Sequence, residues 1–263
     1  MTTLPADLDP IAIAARLTTH RYGHSLDVRA RTRSTNDDAR LAADAGAPDG
    51  HVVVADAQDA GRGAHGHAWS SPGGTDLYLS IVDRPALPPQ VLPQLTLAVG
   101  VGVAECVAAL TGQPTHVKWP NDVLVGAPRD ARKCAGVLVE TSSVGMQLGA
   151  AIIGIGLDVN RHEFTDDLAD VATSLARARG HAFARDEVLA RLLREVEIWV
   201  DRLVRAGSAP IVAALGQRLA WRGERVRCGD IVGELVGVDA GGALRIATSA
   251  GMRTLSAGRL RRA

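Results

Sequence analysis

KWPNDVLVGAPRDARKCAGVLVE, residues 118–140, contains both lysines of a chain that carries twenty-seven arginines. Arginine is a planar, permanently charged fork, whereas lysine is a compact ammonium on a flexible stem. A chain that uses arginine almost everywhere and keeps Lys118 and Lys133 points to a need for the smaller group at those positions. The stretch also reads as structure. Apolar, β-branched runs on either side of a Gly/Pro/Asp cluster predict a strand over 117–125, a turn at 126–130 and a strand over 134–140. Residues 147–155 follow as the next strand, so this segment organises a sheet. The three asparagines are placed as selectively: Asn36 in RSTN, Asn121 in KWPND and Asn160 in GIGLDVN.

Outward from this segment, Ser34, Thr35 and Asn36 form an N-cap cluster that opens a helix running to Ala45. Strands are predicted over 51–57 and 77–82, separated by a long glycine-rich loop over 56–75. Residues 91–110 are apolar enough to suggest a bilayer span, but Pro93, Gln94 and Glu105 interrupt them. Gly100 and Gly102 predict close packing, so the expectation is a buried core helix and no membrane partner. Residues 186–204 place Val188, Leu192, Val196 and Leu203 on one helical face. Before residue 26 only 11–17 looks helical. From about Leu219 short β-like runs separated by glycine, with a D-A-G-G turn at 239–242, suit a small all-β barrel. The expected organisation is an N-terminal extension (1–27), a large α+β domain (28–218) and a C-terminal β-barrel (219–263).

Composition narrows the function. The 263 residues are 46% hydrophobic with zero formal net charge, so a full core is available and no global field favours nucleic acid or anionic lipid. Three cysteines without a CxxC pair argue against a disulfide framework or a zinc knuckle. The N-terminus is too weakly apolar for a signal peptide, and a cytoplasmic location is expected.

Three features carry chemistry. In the loop, Gly61, Gly63 and Gly66 allow close backbone approach to a ligand, Arg62 can grip an anion through two N–H groups, and Trp69 offers an apolar wall. The loop matches neither a Walker nor a dinucleotide pattern, and His65 and His67 lack a third metal ligand at suitable spacing. In KWPND, Pro120 restricts Trp119 to extended geometry. Asn121 and Asp122 set an amide beside a carboxylate, able to meet Mg²⁺ and phosphate or to form an Asx turn. Lys133 opens a strand, where a fixed ammonium would stabilise charge growing on phosphorus.

RSTN at 33–36, Gln58, GRGxxGxxW at 61–69, KWPND at 118–122, KxAGxLxE at 133–140 and GIGxxxN at 154–160 occur in that order. Together they resemble the biotin–[acetyl-CoA-carboxylase] ligases, also called biotin protein ligases, of the type without an N-terminal DNA-binding domain. The resemblance implies a seven-stranded mixed sheet with flanking helices, related to class II aminoacyl-tRNA synthetases, and an SH3-like C-terminal domain. It implies that biotin attacks MgATP to give biotinyl-5′-AMP, which then acylates a lysine on a biotin carboxyl carrier domain of an acyl-CoA carboxylase. By the same resemblance Ser34, Thr35, Asn36 and Gln58 lie beside biotin's ureido ring. Arg62, Gly63 and Ala64 belong to the loop over the carboxylate and adenylate. Lys133, with Arg62, is the catalytic cation. Lys118, Trp119, Asn121, Asp122 and Asn160 stand on the ATP side with Arg62 and Lys133, and Asp122 is the expected Mg²⁺ contact.

The chain departs from the family pattern at three positions. Ala64 and His67 stand where the loop usually has arginine, and Asp158 where asparagine is frequent. Three other activities compete: a lipoate or octanoyl ligase, a ligand-binding protein without catalysis, and a DNA-binding repressor. Residues 1–25 hold too little helix for the last, and the zero net charge argues against it.

Overall fold

Alternation along the strands, reset at a bulge, divides one sheet into a greasy face and a working face, and the helices sort themselves accordingly. The computed structural model describes residues 4–88, 91–144, 147–165 and 168–263. Seven strands form the main sheet: β1 (Leu26–Thr32), β2 (His51–Gln58), β3 (Leu77–Asp83), β4 (Thr115–Lys118), β5 (Asp122–Val125), β6 (Arg132–Val144) and β7 (Gln147–Leu157). Their order is β1-β2-β3-β7-β6-β5-β4. β1 and β2 are parallel and every other pairing is antiparallel, which makes the sheet mixed, as the resemblance implied.

On the greasy face Leu77, Leu79 and Ile81 of β3 and Ile153, Ile155 and Leu157 of β7 join one core with two long helices. These are α3 (Leu92–Thr111) and α5 (Arg185–Ala206). The apolar stretch read as a core helix is α3, with Leu95, Ala98, Val99 and Val103 fully buried. Gly102 lets it lie directly on α5: a Cβ there would come within 2.9 Å of the Val196 Cα. The amphipathic stripe of α5 is buried as its spacing predicts, Val188, Leu192, Val196 and Leu203 included. The other face is covered at one end by α2 (Thr35–Asp44), whose Ala39 packs on Val53, Val82 and Ile152. The rest of that face carries polar side chains, glycines and the Trp69 ring.

The segment before β1 is part of this core. It contains α1 (Pro10–Arg16), and Leu8, Ile13 and Tyr22 are fully buried. Asp7 pairs at 2.6 Å with Arg185, whose side chain is 1% exposed. Two short helices had no counterpart in the sequence reading, α4 (Leu175–Arg179) and α6 (Ala209–Arg218).

The predicted strand over 117–125 is a hairpin, β4 and β5, with its turn at Trp119-Pro120-Asn121. Proline has no N–H to give a ladder, so the chain folds back at Pro120. Lys118 is thereby set directly opposite Asp122.

The terminal residues form a second sheet of five strands, ordered β11-β10-β9-β8-β12. The strands are β8 (Arg225–Cys228), β9 (Ile231–Val238), β10 (Leu244–Thr248), β11 (Gly251–Leu255) and β12 (Leu260–Arg262). All pairings are antiparallel, and in place of the expected closed barrel no ladder joins β11 to β12 among the described residues. The two sheets are stapled where Trp119 Nε1 donates to the Gly242 carbonyl at 3.0 Å.

The close α3–α5 approach is testable. Gly102→Ala is expected to destabilise by about 1–3 kcal/mol, because backbone of α5 stands in the way. Gly100→Ala, whose Cβ would meet only Val117 Cγ1 at 3.7 Å, is expected to be neutral or to gain up to about 1 kcal/mol from helix propensity. Denaturant melts of the two variants check the difference.

Candidate active site

The register between β5 and β6 slips by one residue. Val123 pairs with Ala135 but Leu124 pairs with Lys133, so Cys134 is an extra residue in β6. Side chains alternate faces along a strand, and a bulge resets that alternation. Without it Lys133 would lie on the opposite face from Gly136. With it, Lys133 joins Gly136 and Asp122 on the working face, and its Nζ lies 2.6 Å from the Asp122 carboxylate. The start of β6 is fixed from the side as well: Lys133 N–H donates to the Val171 carbonyl and Thr173 N–H donates to the Lys133 carbonyl, each at 2.8 Å.

Asp122 holds two ammonium groups, Lys133 on one oxygen and Lys118 on the other at 2.9 Å. Burial alone would raise its carboxyl, but the two lysines outweigh burial and keep it below the usual carboxylate range. Both oxygens are engaged by cations, and among the described residues no group of three or more His, Cys, Asp or Glu is assembled for a metal. With both oxygens paired to ammonium groups, Asp122 holds the two lysines in place, and an Mg²⁺ carried in by a nucleotide would have to displace one of them to reach the carboxylate. The His65 side chain lies outside the described part.

Glycines shape the floor. Gly136 of β6 and Gly156 of β7 are direct cross-strand partners, and the Trp69 ring lies flat on both. A Cβ on Gly156 would come within 2.4 Å of the indole, and one on Gly136 within 2.8 Å. Lys133 Nζ stands 5.0 Å from the centre of the same ring. Trp69 Nε1 is buried and has no hydrogen-bond partner among the described residues.

The RSTN cluster does not cap its helix through Ser34. Instead the Thr35 N–H donates to Gln58 Oε1 at 2.8 Å, and Gln58 Nε2 donates to Ser71 Oγ at 3.0 Å. Ser80 Oγ donates to Asn36 Oδ1 at 2.6 Å, and Asn36 Nδ2 donates to Glu140 at 2.7 Å. Gly154 gives Asn36 its room, since a Cβ would meet Oδ1 at 2.3 Å. Arg62 pairs with Asp37 at 2.7 Å and Glu140 at 3.1 Å.

These residues enclose two adjoining spaces. A narrow cavity of about 40 Å³ is lined by Ser34, Thr35, Asn36, Gln58, Arg62 and their glycine floor. Beside it runs a groove of about 760 Å³ that includes Lys118, Trp119, Asn121, Asp122, Asp158 and Arg161. Gly63, Ala64, Trp69, Asn121 and Lys133 line both. Asn121 is locked to β6, its Nδ2 donating to the Val137 carbonyl at 3.2 Å. Trp119 is 3% exposed and its one polar atom is spent on Gly242, so it offers the groove only its ring.

Asn160 stands apart from the expected nucleotide side. Its amide exchanges both hydrogen bonds with the Phe183 backbone, at 2.8 and 2.9 Å, and it lines neither space. Its neighbour Arg161 takes the place beside the groove: Nε donates to Asp76 at 2.7 Å and Nη2 to the Ser70 carbonyl at 2.9 Å, tying down the end of the loop. Glu140, Gly136, Gly154 and Gly156 sit inside motifs whose order was recognised, but only the alternation of faces assigns them to the site. Ser80 and Arg161 carry no signal in the sequence.

Asp158 is 4% exposed, with Arg161 3.6 Å away. Burial, reinforced by Asp76, pushes its carboxyl well above the usual range. A raised carboxyl stabilises the fold in its protonated form, and that contribution is lost as pH rises from the ordinary value of 3.8 through the raised one. Asp158→Asn is therefore expected to match the parent near pH 4 and to exceed its Tm by about 2–4 °C at pH 8, equivalent to ~1 kcal/mol in a chain of this length. Calorimetric scans across pH check this.

Residues 28–158 match the Biotin/lipoate A/B protein ligase family. The biotin–[acetyl-CoA-carboxylase] ligase of Mycobacterium tuberculosis is 35% identical over 240 residues, covering 88% of this chain and 85% of that protein. The bifunctional ligase/repressor BirA of Bacillus spizizenii is 34% identical over 258 residues, covering 95% of this chain and 78% of that protein. The structure of biotin protein ligase from Aquifex aeolicus in complex with biotin and ATP superposes with a TM-score of 0.79 at 30% identity, covering 91% of this chain and all of that one. The chain therefore belongs to the biotin/lipoate A/B protein ligase family, among its biotin–[acetyl-CoA-carboxylase] ligases.

Proposed function

We propose that this protein activates biotin with MgATP as biotinyl-5′-AMP and transfers the biotinyl group to a lysine on a biotin carboxyl carrier domain of an acyl-CoA carboxylase. One observation carries the reading: Lys133 stands on the boundary between a small polar cavity and a groove of nucleotide size. The cavity takes biotin. Asn36, Thr35, Ser34 and Gln58 supply donors and acceptors for a ureido ring, and the glycine floor passes an apolar chain toward Lys133. The groove takes MgATP, with magnesium as part of that substrate.

In the first step a biotin carboxylate oxygen attacks the α-phosphorus, and the bond from phosphorus to the pyrophosphate oxygen breaks. Two anions must meet, so the cost is mainly electrostatic, and a pre-oriented ammonium lowers it. Lys133 is that group, aimed by Asp122 with Lys118 sharing the same carboxylate. Arg62 exchanges Asp37 and Glu140 for the substrate anions. In the second step the acceptor amine attacks the acyl carbon, the bond to AMP breaks, and the amine loses its proton.

A cavity of about 40 Å³ is too small for biotin, so entry requires the loop carrying Trp69 to shift and then close again over the adenylate. Leu8, Ile13 and Tyr22 are buried in the core and Asp7 pairs with Arg185, so the segment before β1 packs as part of the catalytic domain. The same reading places the protein in the cytoplasm with its carboxylase partner.

Lys133→Ala is expected to reduce pyrophosphate release with biotin and MgATP by about 10²–10³, and mass spectrometry of a carrier domain should show no biotinyl shift. Undiminished release would remove Lys133 as the catalyst. Isothermal titration should show biotin binding and lipoate failing; the reverse would favour lipoate ligation. Ala64→Arg restores a charge-assisted bond worth ~1.5–3 kcal/mol and is expected to slow biotinyl-AMP release about tenfold or more. Single-turnover release kinetics test it.

A further inference from the structure

The loop over 59–76 leaves β2 and returns to β3, and its tip is held differently from its stems. On the outgoing stem the Asp59 and Ala60 N–H groups donate to the Thr32 and Arg33 carbonyls at 2.9 and 2.8 Å. The tip, 61–69, is a small hairpin closed on itself: Trp69 N–H donates to the Gly61 carbonyl at 2.8 Å and Gly63 N–H to the His67 carbonyl at 2.7 Å. It carries Arg62, Gly63, Ala64 and Trp69 into the lining of the cavity. Two buried arginines reach the returning stem. Arg161 donates directly to the Ser70 carbonyl. Arg185 acts through an intermediary: Nη1 donates to Asp56 Oδ1 at 2.5 Å, and the same oxygen accepts the Gly74 N–H at 2.8 Å. Nη1 also reaches the Asp76 carbonyl at 3.2 Å.

Arg185 is mounted on the core. It opens α5, and Val188 and Leu189 in the same turn are fully buried. Its remaining face is taken by Asp7, which accepts from Nε and Nη2 at 2.7 and 2.6 Å. A guanidinium this buried has to be paired, and two carboxylates on a planar fork fix its direction. It lines neither the cavity nor the groove, so it meets no substrate. The stem in turn fits closely against Asp56: a Cβ on Gly73 would come within 2.8 Å of Asp56 Oδ2.

We propose that Arg185 is a positioning residue for closure of the loop. By holding Asp56 against the Gly74 N–H it fixes the returning stem, so that the hairpin over 61–69 closes as a unit and retains the acyl-adenylate. This rests on the ligase reading of the site. A tip that swings between two fixed stems has one closed position. A slack stem spreads that position over many, the closed state loses population, and the ligand escapes sooner.

The test is the rate at which biotinyl-5′-AMP, formed in place from biotin and MgATP, leaves the full chain, measured beside Tm for each variant. Arg185→Met is expected to release it about tenfold faster or more. Arg185→Lys should fall between that variant and the parent, since lysine keeps the charge and loses the fork. Gly73→Ala displaces the Asp56 carboxylate from outside with Arg185 untouched. It should speed release about threefold to tenfold, and it keeps the test open if Arg185→Met does not fold. Asp7→Ala removes the other carboxylate and leaves the path to Gly74 whole, so Tm should fall while release stays that of the parent. The proposal is overturned by unchanged release in Gly73→Ala or in folded Arg185→Met. It is overturned too by Asp7→Ala releasing as fast as Gly73→Ala, which would make the effect one of stability alone. A parent chain that forms no biotinyl-5′-AMP would remove the ligase reading together with the proposal; adenylate formed and released without regard to Arg185 and Gly73 removes the proposal alone.

Discussion

One extra residue in β6 decides where the working charge goes. Cys134 has no partner of its own on β5, and that slip turns Lys133 toward Asp122 instead of toward the helices. A lysine on the core face would be an unpaired buried charge, costly enough to neutralise or to unfold the edge of the sheet. On the working face it has a carboxylate, an aromatic ring and a boundary between two cavities. The bulge also leaves the Cys134 side chain fully buried, so the distortion is packed in place.

Around that point the remaining architecture divides the labour. Small residues on three adjacent strands, Ser80, Gly136, Gly154 and Gly156, keep the floor low so that Asn36 and Trp69 can lie on it. The carboxylates on the same side, Asp37, Asp122 and Glu140, each hold a cation in place. An ammonium held by a carboxylate is oriented, yet its pairing can be traded for a substrate anion when one arrives. The exchange costs little because one charged partner replaces another.

Much of this was legible in the residues and some was not. The apolar periodicities of α5 and β3, and the glycine-broken apolar run of α3, identified the core, because burial writes itself directly into spacing. The scarcity of lysine marked Lys118 and Lys133. The hairpin at 115–125 was read as one strand, since its apolar residues continue across the turn and only Pro120 betrays it. The bulge left no signature: a one-residue slip is a property of a pair of strands. Asn160 was expected at the nucleotide because of its motif, whereas its amide is fully satisfied by Phe183.

The staple between Trp119 and Gly242 gives the molecule a mechanical property. Trp119 is next in sequence to Lys118 and two residues from Asn121, so the second sheet pivots on the same turn that presents the charged groups. Arg262 adds a second tie, to the Pro128 and Arg129 carbonyls in the turn that precedes β6. The terminal sheet thus braces both ends of the segment that carries the two lysines, and a change in its seating would be felt there first.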